Sequence, residues 1–471
     1  MILDVTIIAA YLLIINIVGI CSSKARDMKD YFLGGNRLPW PAVCLSIVAT
    51  ETSTLTLISI PGLAYTSGIG FLQIAAGYIA GRVLVAVFLI PQYYEGRLHT
   101  VYEYLQLKFG PMPRVAVSLL FHITRLFADA IRLFATAIPL AMLMGCDYRL
   151  AVLMLGLATI MYTLSGGIRS VVIIDSIQFF LYILCAAIAL LIIPSLMDSS
   201  FTDIFFSIPP ERLKVLSGFS SDWLKGYNPL SGFICGTMLS VASHGTDHLM
   251  VQRVLSCADE YRAKKAMIWS GIIVFFQIAL FLLTGLFIMQ LFGARAFDKP
   301  DEIMPAFIIE NVPHGLRGLM LAGMFAAAMS SLSSTVNSLS ASSAMDILRL
   351  DKKIESPAKQ LRLSKYISVF WMAVIMLTAM LLRGNKSPLV ELGLGISSLV
   401  YGGVLAVFVE ARFFKNMSDK AAVFGMLAGS AGTIILARAF DIFWTWYIPI
   451  GFLIAAMVSF FLDKIIKKIF P

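Results

Sequence analysis

Apolar residues run in thirteen long stretches, at about 5–21, 39–65, 71–93, 114–144, 150–164, 171–193, 230–254, 266–291, 314–348, 366–382, 389–409, 421–439 and 443–465. A helix needs about 20 apolar residues to cross a bilayer core. The pattern therefore predicts an all-α polytopic membrane protein with 13 transmembrane helices. The fourth and ninth stretches are longer than a bilayer requires and should tilt or protrude. The seventh turns polar in its second half. The two largest outer connections, 197–228 and 292–313, leave room for short surface helices, as at 205–216.

Two stretches are interrupted by polar runs. The second holds Ala49-Thr50-Glu51-Thr52-Ser53-Thr54 and the seventh holds Ser243-His244-Gly245-Thr246-Asp247-His248. Serine and threonine compete with the helix for backbone hydrogen bonds, and a buried acid is costly at membrane depth. Paired interruptions five spans apart point to an inverted-repeat transporter that holds its ligands where backbone is freed. The other reading is two polar helix–helix contacts. A third feature is the hydroxyl stripe Ser330, Ser331, Ser333 and Ser334 in the ninth stretch. Ser330, Ser333 and Ser334 share one helical face. Such oxygens suit alkali or alkaline-earth cations, and the same small residues also suit close packing.

Composition narrows the class. Of 471 residues, 59% are hydrophobic and only 14% charged, against roughly 45–50% and about 25% in soluble domains. Too little chain remains for a sizeable soluble domain. Of the 37 Lys and Arg residues, 24 fall on one alternating set of connections and ten on the other, with Arg82, Arg125 and Arg132 inside spans. The positive-inside rule then places the N-terminus outside and the C-terminus in the cytoplasm. The net charge of +9 fits cytoplasmic loops, and no nucleic-acid partner is expected. The expected location is the plasma membrane, or the inner membrane if the source is bacterial. The first stretch lacks a cleavage site and reads as a span. Cysteines show no metal-ligand spacing, no nucleophile–base set suggests an enzyme, and no obligate protein partner is evident.

Asp30-Tyr31-Phe32-Leu33-Gly34-Gly35, the Ala49–Tyr65 run, Gly166-Gly167-Ile168-Arg169 through Asp175-Ser176-Ile177-Gln178, Gly245-Thr246-Asp247 with Val251-Gln252-Arg253, and Ala327-Ala328-Met329-Ser330-Ser331 resemble the sodium/solute symporter family in sequence and order. The resemblance implies a LeuT-type five-plus-five inverted repeat within a single transport domain, 1–471. Residues 1–37 would be an extra first helix and cytoplasmic loop, 38–411 the ten-helix core, and 412–471 two extra C-terminal helices. It implies no cofactor, with sodium as the coupling ion. The implied main sodium site comprises the carbonyls of Ala49, Thr52 and Ala327 with the hydroxyls of Ser330 and Ser331. A second site, as in sialate-type members, would use Asp175 with Ser330, Ser333 and Ser334; the alternative is that Asp175 only hydrogen-bonds hydroxyls.

The Phe121-His122-Ile123-Thr124-Arg125 run resembles the one whose arginine holds the substrate carboxylate in sialate-type members. Arg125 and Arg132 also lie at i,i+4 and i,i+3 from Asp129, so pairing along their own helix competes. Glu51, a threonine in sialate-type members and an acid in proline-type ones, would support the ion, neutralise Arg125, or meet a substrate hydroxyl or amine. Ser53, Thr54, Thr56 and Phe71 complete the expected pocket. The resulting expectation is sodium-coupled import of a small polar solute by alternating access, a sugar acid or other carboxylate ahead of a neutral sugar or polyol, then an amino acid. Rivals are a proton-coupled carrier using Glu51 or Asp175, and a transporter-like sensor, against which the lack of a signalling extension after Ile465 argues.

Overall fold

The computed structural model describes residues 2–22, 25–216, 229–293, 295–382, 389–414, 417–440 and 442–469. The 217–228 part of the expected outer connection 197–228 therefore lies outside the described residues. Helices dominate, and among the described residues the one β pairing is an isolated bridge between Leu38 and Cys257. In chain order, α1 is Ile2–Ser22, and α2 is a bent pair, α2a Trp40–Glu51 and α2b Thr54–Ser67. α3 is Leu72–Glu95, α4 Pro111–Met144, α5 Tyr148–Gly166 and α6 Ile168–Leu196. α7 is again in two pieces, α7a Pro229–Val241 and α7b His248–Leu255. α8 is Glu260–Phe292, α9 Leu316–Ile347 and α10 Pro357–Leu381. α11 is Leu389–Phe413, α12 Asp419–Phe440 and α13 Tyr447–Ile469.

Ten of the described helices are long and apolar enough to cross a membrane, and counting α2 as one span makes eleven. The expected thirteen are not reached by this measure. α4 carries Arg114, Arg125, Asp129 and Arg132 along its length, and α7 is divided into two short pieces. The 34-residue α4 is about 51 Å long at 1.5 Å per residue, well beyond a hydrocarbon core of about 30 Å. The expected outer surface helix lies at Phe201–Ser207, earlier than 205–216, because Ser200 and Asp203 form a capping box there.

Both breaks fall where the polar runs predict. At the first, Thr52 and Ser53 adopt extended conformations and the two halves of α2 diverge by 64°. At the second, a π-turn over Ala242–Thr246 leads to an extended Asp247, whose side chain caps α7b at the N–H of Leu249. α2, α3, α7 and α8 pack on one another, while α4, α5, α9 and α10 form a second group, with α6 bridging α2a and α9. α12 and α13 pack on α11, and α1 lies against α5, α6 and α9. Two glycines permit close approaches. A Cβ on Gly285 of α8 would sit 2.1 Å from the carbonyl oxygen of Pro61 in α2b. One on Gly167, at φ +57°, would sit 2.1 Å from that of Tyr31, which accounts for a glycine at 167 in the tight α5–α6 turn.

Candidate functional site: a broken-helix pocket

At the break in α2 the backbone changes its partners. The N–H of Ser53 donates to the carbonyl of Glu51, and that of Thr56 donates to Ser53. A continuous helix would have directed these donors to Ala49 and Thr52, so both carbonyls are released from their helical role. α9 faces this point with a buried row of hydroxyls. Ser331 donates to the carbonyls of Thr50 and Ala327, each at 3.3 Å, and Ser330 donates to Asp175 Oδ1 at 2.7 Å. Thr54 donates to the carbonyl of Met324 on α9 at 2.9 Å. It links two helices and is not among the walls of the cavity described below.

Asp175 on α6 is fully buried and heavily partnered. Its Oδ2 accepts from Ser46 at 2.5 Å and Thr50 at 3.4 Å, and lies 3.3 Å from Arg253 Nη2. Arg253 also donates to Ser46 at 2.9 Å, to the Leu249 carbonyl at 2.6 Å, and to Ser334. Ser333 donates to the Ser330 carbonyl at 3.1 Å. Two of the four residues expected at a second ion site, Asp175 and Ser334, thus already contact a guanidinium, which the sequence expectation omitted.

Three further ion pairs stand around the break, and two of them differ from the expected partners. Glu51 pairs with Arg82 of α3, which also donates to Ser270 at 2.7 Å. Arg125 does not pair with Asp129. It donates through Nη2 and, at 3.0 Å, through Nε to Asp247 Oδ2, and at 2.6 Å to Tyr401 of α11. Tyr401 closes the triangle by donating to the same Asp247 oxygen at 2.6 Å. The reason is that Asp129 is already taken, with Arg132 on Oδ1 and Thr335 on Oδ2, each at 2.8 Å. Meanwhile the extended Asp247 turns its second oxygen towards α4.

A cavity of about 70 Å³ opens beside the break, its walls including Glu51, Ser53, Thr56, Phe71, Tyr78 and Arg132. Four expected pocket residues are therefore together in one space, and Arg125 is not among its walls. The arginine in its wall is Arg132. It lies seven residues, two helical turns, further along the same face of α4, and that spacing was the signal available for it.

Residues 31–429 match the model of the sodium:solute symporter family. The chain belongs to this family. The sodium/sialic acid symporter NanT of Aliivibrio fischeri is 28% identical, the alignment covering 98% of this chain and 92% of NanT. The sodium-coupled monocarboxylate transporter 1 of Xenopus laevis is 26% identical over 91% of this chain and 70% of its own. Among solved structures, a substrate-bound, outward-open sodium-coupled sialic acid symporter superposes with a TM-score of 0.88 at 26% identity, covering 98% of each chain. The nucleobase-cation-symport-1 family transporter Mhp1 superposes at 0.59 with 13% identity over 96% of each chain, a likeness of fold alone.

The symporter is thus a multi-pass, sodium-coupled membrane transporter of LeuT-type fold. Its donor set fits an alkali cation, since the released carbonyls of Ala49 and Thr52 and the Ala327, Ser330 and Ser331 oxygens are neutral and hard. Among the described residues no cluster of His, Cys, Asp and Glu suits a transition metal.

Proposed function

We propose that this symporter carries a small organic carboxylate into the cell with sodium. Sodium is held by the carbonyls of Ala49, Thr52 and Ala327 and the hydroxyls of Ser330 and Ser331, and the carboxylate lies in the neighbouring cavity against Arg132. The observation that carries this reading is the release of backbone oxygens at the α2 break, facing the α9 hydroxyls, directly beside a cavity with an arginine in its wall. The guanidinium fork suits a carboxylate, and the sialic acid and monocarboxylate relatives support that half of the assignment.

The mechanism follows from which helices supply the oxygens. α2 belongs to one packed group and α9 to the other, so an ion between them favours the conformations in which the groups are apposed there. It also fills the backbone gap that the substrate then covers. Coupling requires that each ligand bind one conformation better than the other, and rocking of the two groups exposes the site to the opposite side. We assign one sodium to each cycle, because an ion at Asp175, Ser333 and Ser334 would share its carboxylate with Arg253. The distribution of Lys and Arg supports an N-terminus outside, a C-terminus in the cytoplasm, and residence in the plasma membrane or bacterial inner membrane.

The test is uptake of labelled carboxylates into proteoliposomes under an imposed sodium gradient, a proton gradient, or neither. Uptake driven by sodium with a Hill coefficient near one is expected. A coefficient near two would place a second ion at Asp175, and uptake driven by protons alone would refute the sodium assignment.

A further inference from the structure

The cavity is bounded by two ion pairs that point in opposite senses. In the first, Arg82 is completely buried while the Glu51 side chain keeps 20% of its surface exposed. In the second, Asp129 is buried at 1% exposure and Arg132 keeps 17%. Each pair therefore turns one member towards the cavity, a carboxylate from α2a and a guanidinium from α4, and hides the other behind it. Among the described residues Arg82 engages Oε2 of Glu51, and His244 Nε2 stands 3.7 Å from that same oxygen without bonding it. Arg132 uses Nη1 for Asp129, and its buried Nε has no partner among the described residues. One wall thus offers an acceptor oxygen and another offers guanidinium donors.

From this we propose that the solute is a carboxylate bearing a hydrogen-bond donor of its own, an ammonium in preference to a hydroxyl, which meets Glu51 while the carboxylate meets Arg132. This rests on the symport reading above and sharpens it. A plain monocarboxylate would bring an apolar end against Glu51, leaving the oxygen that Arg82 does not engage desolvated without a partner, and a site with an unpaired buried polar atom discriminates against the analogue that causes it. Glu51 is then the residue that sets specificity, and Arg132 the one that sets the requirement for an acid.

Three-carbon acids that differ in one substituent are suitable probes. Sodium-driven uptake of propionate, lactate, 3-hydroxypropionate, alanine and β-alanine is measured in proteoliposomes of the full-length protein. The better amino acid should exceed propionate by at least about tenfold, with the hydroxy acids between. Glu51→Gln leaves Arg82 unpaired beside the cavity and should reduce the amino-acid-to-propionate ratio by at least about tenfold, while sodium binding, read from sodium-dependent thermal stabilisation without substrate, stays within about twofold. Arg132→Gln should depress all five acids together. Propionate carried as well as its substituted analogues by the unaltered protein overturns the proposal, and this measurement needs no variant to fold. A Glu51→Gln protein that binds sodium poorly and loses every acid in proportion also overturns it, assigning Glu51 to the ion. If no acid shows sodium dependence, the symport reading itself fails, a result distinct from either.

Discussion

Asp247→Asn separates charge from shape at the α7 break. Asparagine is as good a helix cap as aspartate, so the bond from the Leu249 N–H to Oδ1, now 2.9 Å, is retained. What disappears is the negative charge that Arg125 and Tyr401 both address through Oδ2. Arg125 has only 6% of its surface exposed, so it would remain as a buried guanidinium without its counter-ion. Removing one member of a buried pair costs about 3–5 kcal/mol, whereas replacing both by uncharged groups is often neutral. At about 2 °C per kcal/mol, the scale for larger domains, the single variant should unfold roughly 6–10 °C lower in a detergent thermal-shift assay. Arg125→Met alone should also destabilise, by leaving Asp247 unpaired. The double variant should recover most of the loss, a coupling energy of about 2 kcal/mol or more. Additive losses would refute the structural role of the pair. So would a stable Arg125→Met protein whose KM rises for carboxylates only, which is the behaviour of an arginine that holds substrate.

Three other outcomes test separate parts of the structure. Ser331→Ala removes a hydroxyl whose own hydrogen bonds are long, 3.3 Å each, so it should keep its thermal stability and lose about tenfold or more in sodium affinity, the scale of a lost bond to a charge; unchanged sodium dependence would misplace the ion. Gly285→Ala puts a methyl into the Pro61 carbonyl and should cost at least about 1–3 kcal/mol, whereas Gly70→Ala, with nothing within 4 Å, should be silent; equal stability of the two would contradict the α2b–α8 contact. Glu103 lies in the connection between α3 and α4, where burial raises its pKa but bonds from His99 and the charge of Arg114 outweigh that and bring it down to about 2. Its contribution is therefore present above about pH 4.5 and fades as the pH falls towards 2, so Glu103→Gln should destabilise at pH 6 and by less at pH 3; a penalty that grows between pH 6 and pH 3 would reverse the sign.

The two helix breaks were legible because their cause is local. Runs such as Thr52-Ser53-Thr54 and Gly245-Thr246-Asp247 offer the backbone side-chain partners and lack the large apolar groups that would hold a helix in lipid, whatever surrounds them. The pairing of Arg132 with Asp129 was legible for the same reason, being a relation of i and i+3 on one helix. Glu51 with Arg82, Arg125 with Asp247 and Asp175 with Arg253 were not, since each joins different helices. To read them from sequence one must know how each helix is rotated about its axis. In a soluble bundle the apolar stripe discloses that rotation; in a bilayer the outward face is apolar too, so α6 and α8 carry long side chains of similar character on every side. The cost of a buried charge guarantees that a partner exists, yet it does not say on which helix. Local rules then offer the nearest acid in sequence, and for Arg125 that is Asp129. The structure gives Asp129 to Arg132 and Thr335 and leaves Arg125 to Asp247. That exchange leaves Arg132, two turns along α4, as the arginine in the wall of the cavity, which is where the proposed carboxylate contact is to be tested.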